Sequence, residues 1–490
     1  MRLDVGLVVL LSALLTAAID DPGFQWLWIW NGPVGADAGT DIVQDGPDRF
    51  FLAGTHDGLD MDEDGRVEIP AEGADPVFAK LVSGPGDRLE PAWIRSPHSP
   101  GFQVWGAVAP DRSGGVYGAA RFNQSVTFHG GHVVEGAGGA GGFLARYDPD
   151  GNVMWVRRLD GPGGDAVSGV ASDGEGNAYV VGWGEGTFPL DRGFDAQPPV
   201  GGAVVSTFDA VGGPSGFVVS YAPDGSVRWT RVLPSPNRVV TSVAVSPEGE
   251  VWVAGELEGA LDVDQDGRVD LPAPADRDGF VIRLDTEGGL LGAWSVGAGP
   301  PRLAFLEGGD VMGLGVVGGF AEDRYGPADL DGDGRPDVTP EGEASSTLLA
   351  RYSPTGQLRW ARTYPVDIPA DVEVHGTQVA LAGGYHGLRD LDLDGNPERV
   401  DQTVDPDLES EIAILIVDAE DGVVETVWTA PGPGRDVAGA VTFTPDGGTL
   451  FATGFVQLTA DFTGDGEDGE GWATCEARGD IFVARYRTGS

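Results

Sequence analysis

The chain has 490 residues, of which 77 are Asp or Glu and 30 are Lys or Arg, so its formal net charge is −47 at pH 7. A charge of this sign repels phosphate and excludes a nucleic-acid-binding role. The 80 glycines and 35 prolines follow no Gly-x-y period, and no long helical run is present, so collagen and coiled coil are excluded. The single cysteine, Cys475, allows no intramolecular disulfide.

An apolar segment opens the chain. Residues Val5 to Ile19 carry no charge, and Thr16-Ala17-Ala18 supplies small residues for cleavage. The run has the length of a signal-peptide core and is too short for a membrane span. We therefore expect a signal peptide over 1–18 and a mature chain over 19–490. The mature chain has no second apolar run of that kind, so we expect no transmembrane segment and a secreted or extracytoplasmic location.

A repeated unit occupies the rest of the sequence, marked by a turn and a following tryptophan strand. The clearest copies are Tyr147-Asp-Pro-Asp-Gly-Asn-Val-Met-Trp155, Tyr221-Ala-Pro-Asp-Gly-Ser-Val-Arg-Trp229 and Tyr352-Ser-Pro-Thr-Gly-Gln-Leu-Arg-Trp360. Weaker copies lead to Trp93, Trp294 and Trp428, and the mean spacing is about 67 residues. Pro-x-Gly between apolar runs is typical of a hairpin, because proline presets φ and glycine accepts positive φ.

Three further strands complete each unit, with no helix between them. One repeat shows the first two, Thr241-Ser-Val-Ala-Val-Ser and Val251-Trp-Val-Ala-Gly, and then a longer loop before Asp278-Gly-Phe-Val-Ile-Arg-Leu. Four short antiparallel strands per period predict an all-β fold, a β-propeller of four-stranded blades. The length divided by the period gives seven blades, at about 35–97, 100–161, 162–234, 235–299, 300–365, 366–434 and 435–490.

The last unit lacks its tryptophan strand, and the start of the mature chain supplies a candidate. Trp26-Leu-Trp-Ile-Trp-Asn-Gly-Pro33 has the same Trp-to-Pro spacing as Trp155-Val-Arg-Arg-Leu-Asp-Gly-Pro162. We expect residues 24–33 to complete the C-terminal blade. Such a strand would close the ring and remove an exposed sheet edge.

The units resemble the repeats of the bacterial seven-bladed β-propeller family found in secreted and surface proteins. The shared pattern is an Asp-Gly-Asn turn, a Tyr-Val-x-Gly strand, an Asp-x-Phe-Val-x-Lys/Arg strand and Asp-x-x-Gly-x-x-x-Trp. The resemblance covers all seven units and implies the fold, without specifying a ligand or an activity. Two departures are the enlarged loop beginning at Thr187-Phe-Pro-Leu-Asp191 and Ile412-Ala-Ile-Leu-Ile-Val, where a Phe-bearing strand is expected.

Five of the loops between second and third strands carry Asp at alternate positions before a glycine. The candidate metal ligands are Asp60, Asp62, Asp64 and Glu68; Asp262, Asp264, Asp266 and Asp270; Asp329, Asp331, Asp333 and Asp337; Asp390, Asp392, Asp394 and Glu398; and, in a weaker fifth loop, Asp461, Thr463 and Asp465. Carboxylates at positions one, three and five of a tight turn converge on one point, and a carboxylate at the ninth position completes the coordination shell of a metal ion. An acidic, solvated turn is the alternative for each loop.

Hard oxygen ligands without His or Cys favour Ca²⁺ over Zn²⁺ or other transition metals. The loops are not EF-hands, because strands flank them and no Glu stands at position twelve. Their motif resembles the DxDxDG calcium loops of integrin α-subunit propellers. Those loops join the first and second strands, whereas these join the second and third, so the integrin ligand-binding role is not transferred.

The sequence leaves two classes of function open. One is a non-enzymatic, calcium-binding scaffold or binding module at or outside the cell surface, with a protein or carbohydrate partner; the chain is compatible with a monomer. The other is an enzyme using the central channel, either quinoprotein-like or active on polysaccharides. The Gly-x-x-x-Trp hairpins resemble quinoprotein docking motifs, but the vicinal disulfide often found there is impossible with one cysteine. The sequence contains no nucleophile elbow, HExxH motif or phosphate-binding loop. A cluster of polar side chains in the central channel would favour the enzyme.

Overall fold

Short apolar runs separated by glycine-containing turns form antiparallel strands throughout the chain. The computed structural model describes residues 24–30, 37–60, 67–71, 73–84, 88–100, 106–195, 207–234, 240–272, 278–296, 299, 302–317, 328–330, 335–339, 346–387, 389–393, 410–463, 472–474 and 479–488. The predicted signal peptide over 1–18 lies outside these residues, as does Cys475.

The strands follow one another in a regular order. The first strand is β1 (Phe24–Trp30), and blade 1 contains β2 (Ala38–Gln44), β3 (Arg49–His56), β4 (Asp75–Ser83) and β5 (Leu89–Arg95). Blade 2 contains β6 (Gly106–Pro110), β7 (Val116–Phe128), β8 (His132–Tyr147) and β9 (Val153–Leu159). Blade 3 contains β10 (Ala166–Ser172), β11 (Ala178–Pro189), β13 (Thr207–Tyr221) and β14 (Val227–Leu233). Between β11 and β13, the short strand β12 (Gly193–Asp195) joins the sheet of blade 2.

The second half of the chain repeats the pattern. Blade 4 contains β15 (Val240–Val245), β16 (Val251–Leu257), β17 (Asp278–Leu284) and β18 (Leu290–Ser295). Blade 5 contains β19 (Arg302–Phe305), β20 (Val311–Val317), β21 (Ser346–Tyr352) and β22 (Leu358–Tyr364). Blade 6 contains β23 (Ile368–His375), β24 (Gln378–Tyr385), β25 (Glu411–Asp418) and β26 (Val424–Ala430). Blade 7 contains β27 (Val437–Phe443), β28 (Thr449–Val456) and β31 (Asp480–Arg487), and its loop forms the hairpin of β29 (Thr459–Asp461) and β30 (Trp472–Thr474).

The seven sheets form a closed ring. Within each blade the first, second, third and fourth strands pair in that order, all antiparallel, and β12 adds a further antiparallel strand to blade 2. Each blade's first strand also lies beside the first strands of the two adjacent blades, from β2 and β6 around to β23, β27 and back to β2. The predicted all-β, seven-bladed β-propeller is therefore confirmed, with the first strands around a central channel.

Strand β1 completes blade 7, as predicted. It pairs antiparallel with β31 and is the outermost strand of that sheet. Trp26 is opposite Arg485, in the same register that places Trp155 opposite Arg146 in blade 2. Trp30 is buried at 1% exposure among residues of blades 7 and 1, including Phe451 and Phe50. The closing strand thus joins the two ends of the ring through core packing as well as backbone hydrogen bonds.

The repeated tryptophan and turn glycine meet between neighbouring blades. The Trp155 indole N–H of blade 2 donates to the carbonyl of Pro223 in the third-to-fourth-strand turn of blade 3 at 2.9 Å. A Cβ built on Gly225 of that turn would lie 2.9 Å from the Trp155 ring, and Gly225 has φ +81°. Comparable indole-to-carbonyl bonds join Trp93 to Pro149, Trp229 to Thr286 and Trp360 to Ala419.

The enlarged loop of blade 3 links two blades. Strands β11 and β13 continue past the blade edge as a long hairpin, and β12 beyond it pairs antiparallel with β9 of blade 2. Asp195 of β12 forms an ion pair at 2.6 Å with the buried Arg157, whose guanidinium also donates to the Gly225 carbonyl. This insertion therefore adds a fifth strand to blade 2 and fastens it to blade 3.

Several buried aspartates have a structural role. Asp37, Asp367 and Asp436 each directly precede a blade's first strand and accept a backbone N–H from the residue that follows the second strand. Asp165, directly before β10, accepts the backbone N–H of Glu185 within β11. Burial raises the pKa of Asp37 to about 8 and that of Asp165 to about 6. Part of the acidic composition is thus used to fix the connections between blades.

Candidate functional site

Three of the acidic loops are held in the same backbone frame. An isolated bridge closes each loop at its base: Leu59 with Ile69, Leu261 with Leu271, and Ala328 with Val338. In each case the residue at the ninth position donates its N–H to the residue before the first Asp, at 2.8–2.9 Å. The bridge brings the first and ninth loop positions to the same end of a closed turn. The loops lie between second and third strands, as the sequence predicts.

The blade 4 loop brings three of its acidic side chains together. Carboxylate oxygens of Asp262, Asp264 and Asp270 all lie within 4.8 Å of one another, and among the described residues this is the only such group of three metal-ligating side chains. Asp266, the fourth predicted ligand, is not in this group. Its backbone N–H donates to Asp262 and Asp264 at 3.1 Å, and its carboxylate accepts from the Arg268 N–H at 2.8 Å.

Elements of this geometry recur in other loops. The Asp270 carboxylate accepts the N–H of Val263 at 2.7 Å, and Asp337 accepts the N–H of Leu330 at 2.8 Å. The fourth position has φ +61° at Gln265 and +62° at Leu393. Since non-glycine residues seldom adopt this conformation, its occurrence at the same position of two loops indicates one loop fold.

An apolar residue after the first Asp anchors each loop for which the structure describes that position. Val263, Leu330, Leu391 and Phe462 are each at most 1% exposed and belong to the hydrophobic clusters of blades 4, 5, 6 and 7. Sequence reasoning identified the aspartates but did not use this position. The signal was present, because an apolar residue occupies it in all five loops.

The remaining predicted ligands fall into two groups. Those described are Asp60 and Glu68 in blade 1, Asp329 and Asp337 in blade 5, Asp390 and Asp392 in blade 6, and Asp461 and Thr463 in blade 7. In blade 7 the Thr463 hydroxyl donates to Asp461 at 2.6 Å. The following lie outside the described residues: Asp62, Asp64, Asp331, Asp333, Asp394, Glu398 and Asp465.

A second polar site lies on the opposite face, at the mouth of the central channel. A cavity of about 360 Å³ is bounded by residues of the first strands of all seven blades and extends to the turn that follows β27, a first-to-second-strand turn. Successive strands alternate in direction, so this is the face of the first-to-second-strand turns, whereas the acidic loops occupy the other face. The charged residues lining it are Asp41, Arg302, Asp371, Glu373 and His375.

Burial and mutual repulsion perturb the channel carboxyls. The enclosing protein raises the pKa of Asp41 to about 7 and that of Glu373 to about 8, and Asp371 is shifted in the same direction. Asp371 and Asp41 add to the shift of Glu373, whereas the charge of Arg302 opposes the shifts of both aspartates. None of these residues belongs to a motif recognised in the sequence. An alignment of the first strands of the blades would have shown Asp41, Arg302 and Asp371 at a position where other blades carry small residues.

A serine–histidine contact in blade 1 lacks the geometry of a catalytic pair. The buried His56 lies 2.7 Å from the Ser96 hydroxyl through Nε2, while its Nδ1 accepts the backbone N–H of Gly58 at 3.1 Å. With Nδ1 accepting, the proton resides on Nε2, which therefore donates to Ser96 and does not abstract its proton. Burial lowers the pKa of His56 to about 4.

The histidines of the His129-Gly-Gly-His132 segment form a turn. His132 stacks on Phe194 of the blade 3 insertion with a ring separation of 3.9 Å. Neither histidine belongs to a group of three metal-ligating side chains among the described residues. The stacking makes His132 part of the contact between the insertion and blade 2.

Comparisons with known proteins agree with the architecture. Residues 155–189 match a family model described as a beta-propeller repeat, SBBP. A segment of 123 residues, 24% of this chain, is 28% identical to an uncharacterized WD repeat-containing protein of Acanthamoeba polyphaga mimivirus. The chain spans only 8% of that relative's length.

Similar solved structures are distant in sequence. They include a protein of unknown function from Bacteroides caccae (12% identity, 72% of this chain and 89% of that one, TM-score 0.35). A europium-containing methanol dehydrogenase is 10% identical (94% and 93%, TM-score 0.41), and the RRP9 WD40 repeats are 12% identical (94% and 97%, TM-score 0.43). In the part of the chain that the structure describes, no helix is long and apolar enough to cross a membrane.

Proposed function

We propose that this chain is a secreted, calcium-binding β-propeller that acts as a non-enzymatic binding or scaffold module at or outside the cell surface. The observation that carries the proposal is the blade 4 loop, where Asp262, Asp264 and Asp270 bring carboxylate oxygens within 4.8 Å of one another. The shared loop frames of blades 1 and 5 extend the same proposal to those blades. The partner is a protein or a carbohydrate.

The donor set fits Ca²⁺. Calcium–oxygen distances of about 2.3–2.6 Å let one ion contact oxygens that lie less than about 5 Å apart. All three side chains are hard oxygen donors, and Asp264 is solvent-exposed, so an ion can enter from outside. The bound cation would relieve the repulsion among the carboxylates and stiffen this face of the ring, with affinity of about 10⁻⁴–10⁻³ M, as in extracellular modules.

An enzyme acting through the channel is the second candidate, and a specific observation favours it. Glu373 lines the cavity together with Asp41 and Asp371, and burial raises its pKa to about 8, so it would hold the proton that the general acid of glycoside hydrolysis donates. A polysaccharidase would release reducing sugar from a soluble polysaccharide, and Glu373→Gln would abolish the release. A binding module releases none.

Calorimetric titration tests the calcium proposal. The protein is stripped with a chelator and titrated with Ca²⁺, with Mg²⁺ as the comparison ion. We expect four or five Ca²⁺ per chain and a weak Mg²⁺ response, and the double variant Asp264→Asn with Asp270→Asn should bind one Ca²⁺ fewer. Glu175→Gln, an exposed turn residue on the other face, is the matched control and should keep the full number. An unchanged stoichiometry in the double variant would contradict the assignment of the blade 4 loop.

A further inference from the structure

The channel mouth described above carries an inference that goes beyond the calcium proposal and holds whether or not the acidic loops bind a metal. We propose that this cavity binds a small organic cation through primary ammonium groups, recognised by Asp41, Asp371 and Glu373. Its volume of about 360 Å³ falls in the range of small-molecule sites, about 300–1,000 Å³.

The charged residues of the cavity occupy one repeated strand position. Asp41, Arg302 and Asp371 each pair with the residue immediately before the glycine of the blade's second strand. The equivalent position is Gly169 in blade 3, Ser242 in blade 4 and, in blade 2, where Ala120 replaces that glycine, Ala107. Three charged side chains therefore project from a layer that elsewhere carries small residues, which leaves room for a ligand.

Neighbouring blades orient the two aspartates. Asp41 accepts the N–H of Val108 in blade 2 at 2.8 Å, and Asp371 accepts the N–H of Val441 in blade 7 at 3.0 Å. Each carboxylate is thus fixed by one oxygen to the next inner strand. A positioned carboxylate loses little freedom on binding, which favours a specific ligand over a diffuse counterion.

Glu373 supplies a carboxyl group that the described protein does not satisfy. It lies two residues after Asp371 on β23, lines the cavity and is half-buried, with no hydrogen bond or ion pair to its carboxyl group among the described residues. Arg302 likewise forms no ion pair within the described part of the chain. When the three carboxyls are ionised, Arg302 offsets one charge and two stay uncompensated, so the cavity favours a cation.

The spacing favours a polyatomic cation over a metal ion. Asp41, Asp371 and Glu373 do not form a group with oxygens within 4.8 Å of one another, whereas the blade 4 loop does. An ammonium group donates over about 2.7–3.2 Å and a diamine reaches carboxylates at two separate points. The neutral polar residues Ser168, Thr241 and Ser242 also line the cavity.

Binding should weaken on acidification. The titratable and charged groups facing the cavity are Asp41, Asp371, Glu373, Arg302 and His375, and the other lining residues are uncharged. Below pH 7 the raised pKa values leave Asp41 and Glu373 increasingly protonated. Protonation of these two carboxylates reduces the attraction for an ammonium group, which itself stays charged up to about pH 10.

Titration calorimetry of the full chain with putrescine tests the proposal. Its uncharged analogue 1,4-butanediol is the matched ligand control, and Nα-acetyl-lysine methylamide distinguishes a lysine side chain of a partner from a free diamine. We expect putrescine to bind at pH 8.5 at one site, about tenfold or more tightly than at pH 5.5, and butanediol not to bind. Glu373→Gln and, separately, Asp41→Asn should weaken binding about tenfold, and Glu175→Gln should leave it unchanged.

Three outcomes would overturn the proposal. The first is that butanediol binds as tightly as putrescine. The second is that both channel variants bind putrescine with unchanged affinity. The third is that Ca²⁺ displaces putrescine and Glu373→Gln binds one Ca²⁺ fewer, which would make the cavity a metal site. The titrations are run with a chelator and repeated in Ca²⁺, so failure of the acidic loops to bind Ca²⁺ leaves the putrescine result intact. The folding of each variant is checked by its thermal unfolding midpoint.

Discussion

The Trp155 ring of blade 2 lies against Gly225 of blade 3, so closely that a Cβ on the glycine would sit 2.9 Å from the ring. The indole N–H donates to Pro223 of the same turn at 2.9 Å, and Arg157 donates to the Gly225 carbonyl at 2.8 Å. The repeated tryptophan of one blade therefore contacts the repeated turn glycine of the next blade, although the two residues are separated by about one full repeat in sequence.

Replacing this glycine should destabilise the ring. Gly225→Ala places a methyl group against Trp155 and forces alanine into φ +81°, so we expect a loss of about 2–4 kcal/mol in the free energy of unfolding. Urea denaturation followed by tryptophan fluorescence measures it. Gly174→Ala is the matched control, since nothing lies within 4 Å of its Cβ position. Equal losses in the two variants would show that the Trp155 contact does not decide the effect.

The closing strand should be as important as an internal strand. Trp30→Ala removes a side chain that is 1% exposed between blades 7 and 1, so we expect a cost of about 3–5 kcal/mol. Val133→Ala, at a position 51% exposed, should change stability by less than about 0.5 kcal/mol. The measurement is the denaturation midpoint, and a Trp30 variant as stable as the parent would mean that β1 does not hold the ring.

Calcium should stabilise the folded chain. An ion that binds only the native state at ten times its dissociation constant contributes about 1.4 kcal/mol per site. We therefore expect the thermal midpoint to fall on chelation and to recover with Ca²⁺, with a smaller effect of Mg²⁺. The variant with Asp264→Asn and Asp270→Asn should show a smaller recovery than the parent. A midpoint independent of Ca²⁺ up to millimolar concentrations would leave these loops as solvated turns.

Stability without calcium should decrease as pH rises from about 5 to 9. The folded-state pKa values of Asp41 and Glu373, about 7 and 8, lie above those of exposed carboxyls, so the folded chain holds protons that the unfolded chain releases. Their stabilising contribution is complete at low pH and is lost as pH passes through 7–8. Glu373→Gln should reduce the loss of unfolding free energy between pH 5 and pH 9 by at least about 1 kcal/mol, whereas Glu175→Gln should leave that loss unchanged. Chemical denaturation at pH 5, 7 and 9 provides the comparison.

The sequence by itself determined the repeat, the strand order and the closure of the ring. Turn glycines such as Gly151 and Gly225 adopt positive φ, and Trp26 pairs in the register that its alignment with Trp155 predicts. These features are readable because hairpin turns and strand alternation depend on residues close in sequence. The acidic loops were equally visible, since their spacing lies within nine residues.

Only the tertiary structure decided which side chains meet across blades. Asp41 and Glu373 are more than 300 residues apart, and nothing local to either indicates that both face one channel. The pairing of Trp155 with the turn of blade 3, and the return of β12 to blade 2, likewise depend on how neighbouring sheets pack. The raised pKa values follow from that enclosure, because desolvation and repulsion act through space and are set by the closed ring.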